Sequence, residues 1–425
     1  MAQQFSASVI IVGAGLGGVA AAIGIARAGH RVTIVEQARE LGQVGAGIQV
    51  PPNSSRILDR WGILSKLRPN AMHPENITIF SYRDGSTLSS LNLLPSMEQI
   101  YGGPYLHVHR ATFHKALCEE AERLGVKFRL GSAVTGLDFE KTAVKILNQE
   151  ELSADFIIGA DGLKSSCREA LLGHSDPPRV TGDMAYRIVI KTEEMKKYSK
   201  LFTLATVPSF YYWAGPGGHA VGYLIERGTS FNMVITAPDE LPDNVQSTKA
   251  DIDVVRAKFQ DWEPRFKLML GLVKEAMVWK LQNSVELESW SHPSGRFALL
   301  GDACHATLPY LAQGAAQALE DGAVLGALFQ KAKDESEVFD ALKIYEKLRK
   351  SRTTKVVRTS TKMGAIMHMP DGEEQRERDR KMTQCAPFEG YPNGWADPVF
   401  QKYLFGYDTE TEVEQAWRVY ESEKE

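Results

Sequence analysis

The sequence predicts an α/β protein: a parallel sheet flanked by helices, a mostly antiparallel sheet inserted into it, and helices towards the C-terminal end. Three observations predict it. A short, wholly apolar run, 9–12, enters a glycine-rich turn and an Ala-rich helical segment. Two further apolar runs, within 155–162 and 296–302, repeat that strand-then-turn pattern far along the chain. From about 178 to 290 the pattern changes to a series of short strand-like pieces.

Val9-Ile10-Ile11-Val12 fits a strand buried on both faces of a parallel sheet. Gly13 to Gly18 make a turn, residues 19–28 a helix that Gly29 ends, and Arg31 to Glu36 a second strand. Together these form one βαβ unit. After Pro51-Pro52-Asn53 a helix runs through Leu58 and Leu64. Residues 77–94 read as strands of a second region, a helix over 112–124 follows Arg110, and 126–129 reads as another strand. Strand-like pieces at 184–191, 201–207, 210–213, 219–226 and 230–236, with a helix near 249–260, make up the inserted sheet. Helices are expected over 315–331 and 334–366, whereas 371–382 is dense in charge and reads as solvated or mobile. The expected division is a nucleotide domain in two parts, 1–177 (with a substrate-side insertion near 75–105) and 291–366, around a substrate domain at 178–290. A C-terminal tail, 367–425, follows.

With 425 residues, 43% hydrophobic and 24% charged, the composition is that of an ordinary globular chain. A formal net charge of −4 gives no electrostatic reason to expect nucleic acid or an anionic membrane as partner. The most apolar stretch, 9–28, is broken by Gly13, Gly15, Gly17, Gly18 and Gly24, so it reads as strand, turn and helix rather than a membrane span. The first residues lack a basic region followed by an apolar core, so no signal peptide is expected. Cys118, Cys167, Cys304 and Cys385 have no knuckle or Cys-x-x-Cys spacing. Four free thiols, a cytoplasmic location and no metal site follow as expectations.

The turn Gly13-Ala14-Gly15-Leu16-Gly17-Gly18 carries the first chemistry. Gly13 permits the tight turn, Gly15 lets backbone approach a pyrophosphate, and Gly18 lets helix and strand pack closely. The helix N-terminus turns free N–H groups to the phosphates. Glu36, ending the second strand, is placed to accept hydrogen bonds from a ribose diol. These features point to a dinucleotide without separating NAD from FAD.

Two later segments separate them. Gly159-Ala160-Asp161-Gly162 is followed by Ser165 and Arg168, and Gly301-Asp302-Ala303-Cys304-His305-Ala306 by Pro309 and Gln313-Gly314-Ala315. With these three motifs in order, nearly the whole chain resembles the single-component flavin aromatic hydroxylases, the family of salicylate hydroxylase and para-hydroxybenzoate hydroxylase. The resemblance implies a Rossmann-like FAD-binding domain of the glutathione reductase type, with FAD as cofactor and NADPH or NADH as co-substrate. Asp302 would take the ribityl hydroxyls. Gly314 and Ala315 would open a helix towards the flavin pyrimidine, stabilising negative charge on the reduced ring. Arg110 would lie near the pyrophosphate, Gly47 and Gln49 in the loop passing the flavin, and Asp161 between the FAD and the passing NADPH. His305 has no histidine or carboxylate at ligand spacing and reads as structural or FAD-adjacent.

On the substrate side, the segment 213–223 resembles the strand that carries polar residues towards the flavin in salicylate-type enzymes. Alternation puts His219 and Tyr223 on one face. Arg187, in Met184-Ala185-Tyr186-Arg187, matches the arginine of related fungal phenol hydroxylases and would pair with a phenolate or carboxylate, lowering a phenol pKa. The implied reaction passes one oxygen atom of O2, through a flavin C4a-hydroperoxide, to a phenolic or other electron-rich aromatic ring. The segment 395–408 adds a fungal-type resemblance and with it secondary metabolism or salicylate-like catabolism. Epoxidation, dearomatising hydroxylation, or a two-electron FAD dehydrogenase or oxidase are the alternatives, and a monomer or homodimer is expected.

Overall fold

The computed structural model describes residues 5–42, 47–149 and 151–424. The start of the N-terminal stretch, residues 1–4, lies outside them. Five parallel strands run in the order Phe297–Leu299, Phe156–Gly159, Ser8–Val12, Arg31–Val35, Lys127–Arg129. Ile10, Ile11, Ile157 and Ile158 are buried, as continuous apolar strands between two helical layers must be. The register aligns Val12 with both Val35 and Gly159, and Gly159 with Leu299. The segments that carry the three motifs therefore leave the sheet side by side at its carboxyl edge, where ligands bind in such sheets.

Helix Leu16–Arg27 lies across helix Gly314–Lys331. Gly24 meets Gly322 and Gly326 there: a Cβ on Gly326 would come within 2.5 Å of the Gly24 backbone, so only glycine permits this crossing. The second sheet has eight strands, ordered Ser247–Lys249, Met277–Asn283, Arg179–Lys191, Ser230–Pro238, Gly218–Ile225, Phe210–Gly215, Asn76–Ser81, Thr87–Asn92. All neighbours are antiparallel except Phe210–Gly215 with Asn76–Ser81. One face packs on Phe259, Trp262 and Phe266. The other, with Phe210, Tyr212 and Tyr223, packs towards the flavin-side loops and Trp395.

One expectation fails, and one segment holds an unforeseen helix. Residues 201–207 are not a strand: helix Phe202–Thr206 forms there after a short turn. Leu204 and Ala205 in the helix and Leu201 at its N-cap are buried, a spacing of three and four that belongs to a helix. Most of residues 371–382 are exposed or partly exposed, as their charge predicts, but 373–382 belong to helix Glu373–Gln384, which the sequence reading did not include. Its buried positions, Arg378 and Met382, are one turn apart, and Arg378 donates to the carbonyls of Ile366 and Met367 at the end of the long helix Glu335–Met367.

A buried ion cluster ties these pieces together. Glu320 and Asp321 on helix Gly314–Lys331 face Arg349 on Glu335–Met367, at 2.5 Å and 2.7 Å, and Arg352 reaches Glu320 at 2.6 Å. All four side chains are at most 3% exposed. Burial alone would raise both carboxyl pKa values. The two arginines and His305 outweigh it, and the net direction for each is below the usual carboxylate range. A group with a depressed folded pKa contributes stability above its unfolded value and loses it as pH falls through the folded one. Arg349→Met leaves two buried carboxylates short of a partner. Urea unfolding at neutral pH should show a loss of about 3–5 kcal/mol, shrinking as the pH is lowered and the carboxyls protonate. A loss below 1 kcal/mol would show that the cluster is dispensable.

Candidate active site

The turn after the first strand has the geometry a pyrophosphate needs. Gly13 sits at φ +104°, and a Cβ there would meet the Ala160 carbonyl oxygen at 2.5 Å. A Cβ on Gly18 would collide with the carbonyl of Gly13, whereas Gly15 has nothing within 4 Å. Gly15 is also the N-cap of helix Leu16–Arg27 and offers no side-chain acceptor, so that terminus keeps unpaired N–H groups for an anion. The Glu36 carboxylate is braced by the backbone N–H groups of Ala14 and Ala38, both at 2.8 Å. A cleft of about 340 Å³ joins Gly13, Gly15, Glu36, Asp161 and Gly162. Asp161 spends its carboxylate locally, accepting from Ser165 and Ser166 hydroxyls and the Cys167 N–H at the start of helix Ser166–Leu172. Its contribution to the cleft is thus a fixed backbone wall.

Asp302 opens the short helix Asp302–His305 after Gly301, at φ +65°. Asp302 is exposed, yet the surrounding protein desolvates its carboxyl enough to raise its pKa, against the opposing charges of His305 and Arg110. Arg110, the first residue of helix Arg110–Arg123, is therefore within electrostatic range of Asp302. Gly314 begins the next helix with open space around it, and Gln313 provides no side-chain cap. Its free N–H groups fit an electron-rich pyrimidine edge. An open N-terminus at each end of the site, a braced Glu36 and an exposed Asp302 fit FAD.

The expected flavin strand, Gly47–Val50, pairs with Leu106–His109. A Cβ on Gly47 would lie 2.5 Å from the Tyr223 ring and 2.8 Å from its hydroxyl, so the absent side chain is what lets Tyr223 reach this strand. Asn232 Oδ1 accepts the Gly47 N–H at 3.2 Å, and Gln49 accepts from the Tyr105 hydroxyl. Tyr223 is buried, its pKa raised by desolvation and only partly offset by Arg187. Arg187 lies over the Trp279 ring at 4.8 Å. Desolvation and the charge of Arg110 lower its pKa, although its tip is accessible. Arg110, Arg187, Tyr223 and Asp302 thus converge.

His219 shares the Tyr223 face of the sheet but stands at the other end of strand Gly218–Ile225. It stacks on Tyr212 at 4.6 Å, and its Nδ1 is 2.7 Å from His368 Nε2. Burial, then the charge of His368, holds its pKa well below the usual histidine value. His305 has a carboxylate partner after all, Asp321 at 2.6 Å, one helix further along the chain. That pairing makes it structural.

Sequence reasoning missed His107, His368 and Tyr212. His107 is fully buried against the Tyr223 ring at 4.4 Å, neither nitrogen has a partner among the described residues, and burial takes its pKa down to about 3. The alternation Leu106-His107-Val108-His109 puts both histidines on one face of the strand, and only the burial of that face in the fold singles out His107.

The fold and site define a flavoprotein built on an FAD cradle with an aromatic-lined sheet against it. The chain belongs to the FAD binding domain family, whose model matches residues 6–360. It is 39% identical over 404 residues, 94% of this chain and 95% of the relative, to FAD-dependent monooxygenase OpS4 of Beauveria bassiana (strain ARSEF 2860). It is 33% identical over 363 residues, 85% and 88% of the two chains, to 3-hydroxybenzoate 6-hydroxylase of Polaromonas naphthalenivorans (strain CJ2). A salicylate hydroxylase substrate complex shares the fold, with TM-score 0.80 and 24% identity over 97% of this chain and 98% of that one. The protein is an FAD-dependent monooxygenase. No helix among the described residues is long and apolar enough to cross a membrane.

Asp302→Ala should lower the flavin-to-protein absorbance ratio of the purified protein and weaken FAD binding at least tenfold, with an unchanged far-ultraviolet spectrum. Full FAD occupancy would remove Asp302 from the cofactor site.

Proposed function

We propose that the chain hydroxylates a phenolic aromatic ring, with NADPH or NADH as reductant, and that Arg187, Tyr223 and His219 handle the substrate. Bound FAD supplies reduction by NAD(P)H and activation of O2. The observation that carries the reading is the contact of Tyr223 with Gly47, because it brings a buried phenol hydroxyl and the neighbouring Arg187 to the strand expected beside the flavin.

Arg187 provides the fixed positive charge. Paired with a substrate oxygen, it favours the phenolate, the more nucleophilic form. Tyr223, with its pKa raised by burial, stays protonated and donates to the same oxygen. His219, held neutral at physiological pH, is available as a proton acceptor. The aromatic face formed by Phe210, Tyr212 and Trp395 orients a flat ring and excludes water. The 3-hydroxybenzoate 6-hydroxylase relative supports a hydroxylated aromatic as substrate class. Four cysteines without a disulfide favour a reducing compartment such as the cytoplasm.

A panel of phenols, hydroxybenzoates and salicylates, scored for stimulated NAD(P)H oxidation and product mass, tests the reading. At least one should gain one oxygen atom. With that substrate, Arg187→Ala should lose about 100-fold or more in kcat/KM, roughly 3 kcal/mol of transition-state stabilisation, at normal FAD content. Near wild-type turnover would take Arg187 out of the mechanism.

A further inference from the structure

The dinucleotide turn at Gly13–Gly18 serves FAD, so the phosphates of a second dinucleotide need side-chain cations elsewhere. A groove of about 1230 Å³ runs along one side of the long helix Glu335–Met367, facing the end of helix Ser166–Leu172 and the segment 285–295. Its floor is apolar, with Leu171, Leu172, Phe339 and Leu342. Six arginine and lysine side chains line it against four carboxylates, although the chain as a whole has a formal net charge of −4. Three of the carboxylates are engaged: Asp176 with Arg168 at 2.6 Å, Glu286 with Arg358 at 2.9 Å, and Glu346 with the Ser289 hydroxyl at 3.0 Å. Among the described residues, no side chain meets the Lys347 ammonium, the Arg179 guanidinium or the Glu288 carboxylate. The Lys350 ammonium donates only to the Glu288 carbonyl.

The groove continues into a second cleft, of about 620 Å³, and Arg179 and Val285 line both. The second cleft reaches Leu308 and Tyr310, in the loop that leads to Gln313 and Gly314. Ser360 on the long helix donates to the Leu308 carbonyl at 2.8 Å, so distance along the helix measures distance from this loop. At about 1.5 Å per residue, Lys347 lies roughly 20 Å and Lys350 roughly 15 Å along the helix from Ser360. An extended dinucleotide covers that span.

We propose that these two joined clefts bind the reductant and select NADPH, with its 2′-phosphate at Lys347 and Lys350, its diphosphate at Arg179 and its nicotinamide end towards Leu308. The proposal rests on the reading that NAD(P)H reduces the flavin. Adenine covers the floor of Leu171, Leu172 and Leu342, removing apolar surface from water. The free cations decide which nucleotide gains most. A phosphate monoester carries about two negative charges at neutral pH. Lys347 pairs with it without breaking an existing ion pair, which is the favourable case for a charge-assisted hydrogen bond. NADH lacks the 2′-phosphate and keeps only the diphosphate contact at Arg179.

Calorimetry on the FAD-loaded enzyme with 2′,5′-ADP and with ADP reads the site without turnover. The first should bind at least tenfold more tightly than the second, and Lys347→Glu should remove that advantage. Ser351→Trp, one turn further along the groove wall, fills it and should weaken both ligands at least tenfold. Lys355→Glu, on another side of the same helix with its ammonium over the Tyr403 ring, should change neither. In anaerobic stopped-flow reduction, Lys347→Glu should raise the NADPH concentration for half-maximal flavin reduction at least tenfold, with the limiting rate and FAD content unchanged. Equal binding of 2′,5′-ADP and ADP, an unchanged half-saturating NADPH concentration, or an equal loss with NADPH and NADH would overturn the assignment while leaving the hydroxylase reading standing. A wild-type flavin that neither nucleotide reduces would instead remove the NAD(P)H reading, and the proposal with it.

Discussion

Two carboxylates on one helix, Glu320 and Asp321, hold the site together. Asp321 accepts the Gly301 N–H at 3.1 Å and the His305 ring at 2.6 Å, so it fixes the turn that presents Asp302. Glu320 accepts from Asn53 at 2.6 Å, anchoring the helix that follows the flavin strand. Arg349 and Arg352 neutralise both acids, and Arg352 then donates to the carbonyls of Tyr403 and Leu404. Each link satisfies a buried charge, and each lands on a different segment around the cofactor. Isolated buried pairs are costly to desolvate. This one recovers that cost through hydrogen bonds that specify where four segments meet.

The electrostatic design on the substrate side follows from burial. The inserted sheet turns aromatic residues to the flavin strand, and the polar atoms among them are desolvated. Desolvation pushes histidines towards the neutral form and tyrosines towards the protonated form, so His107, His219 and Tyr223 all hold uncharged states at neutral pH. Arg187 alone among them keeps a charge. A phenolate forming in that setting has Arg187 to pair with, the charge of Arg110 close behind it, and neutral donors around it. Electrostatic stabilisation is largest where water is excluded.

Much of this was legible in the chain because local rules govern it. The strand 9–12, the glycine turn, Glu36 and the motifs at Asp161 and Asp302 each obey backbone or capping physics that a few adjacent residues express. The eight-stranded sheet was legible as alternation, including the substrate-side insertion near 75–105, whose strands Asn76–Ser81 and Thr87–Asn92 join it from far away in sequence; the pairing order was not. The failures have one cause. Period three-and-four burial at Leu201, Leu204 and Ala205 was hidden by a β-compatible composition, and Arg378 looks solvated until its carbonyl partners arrive from another helix. His368 and the Asp321 partner of His305 were invisible for the same reason, since each interaction joins residues that only the tertiary fold brings together.

The FAD cradle serves to pass oxygen from O2 to an aromatic ring. Turnover of a panel-positive phenol under ¹⁸O-labelled O2 in ordinary water measures it directly by product mass. One labelled oxygen atom is expected in the product for each hydroxylation. A product without label, or oxygen drawn from water, would contradict it.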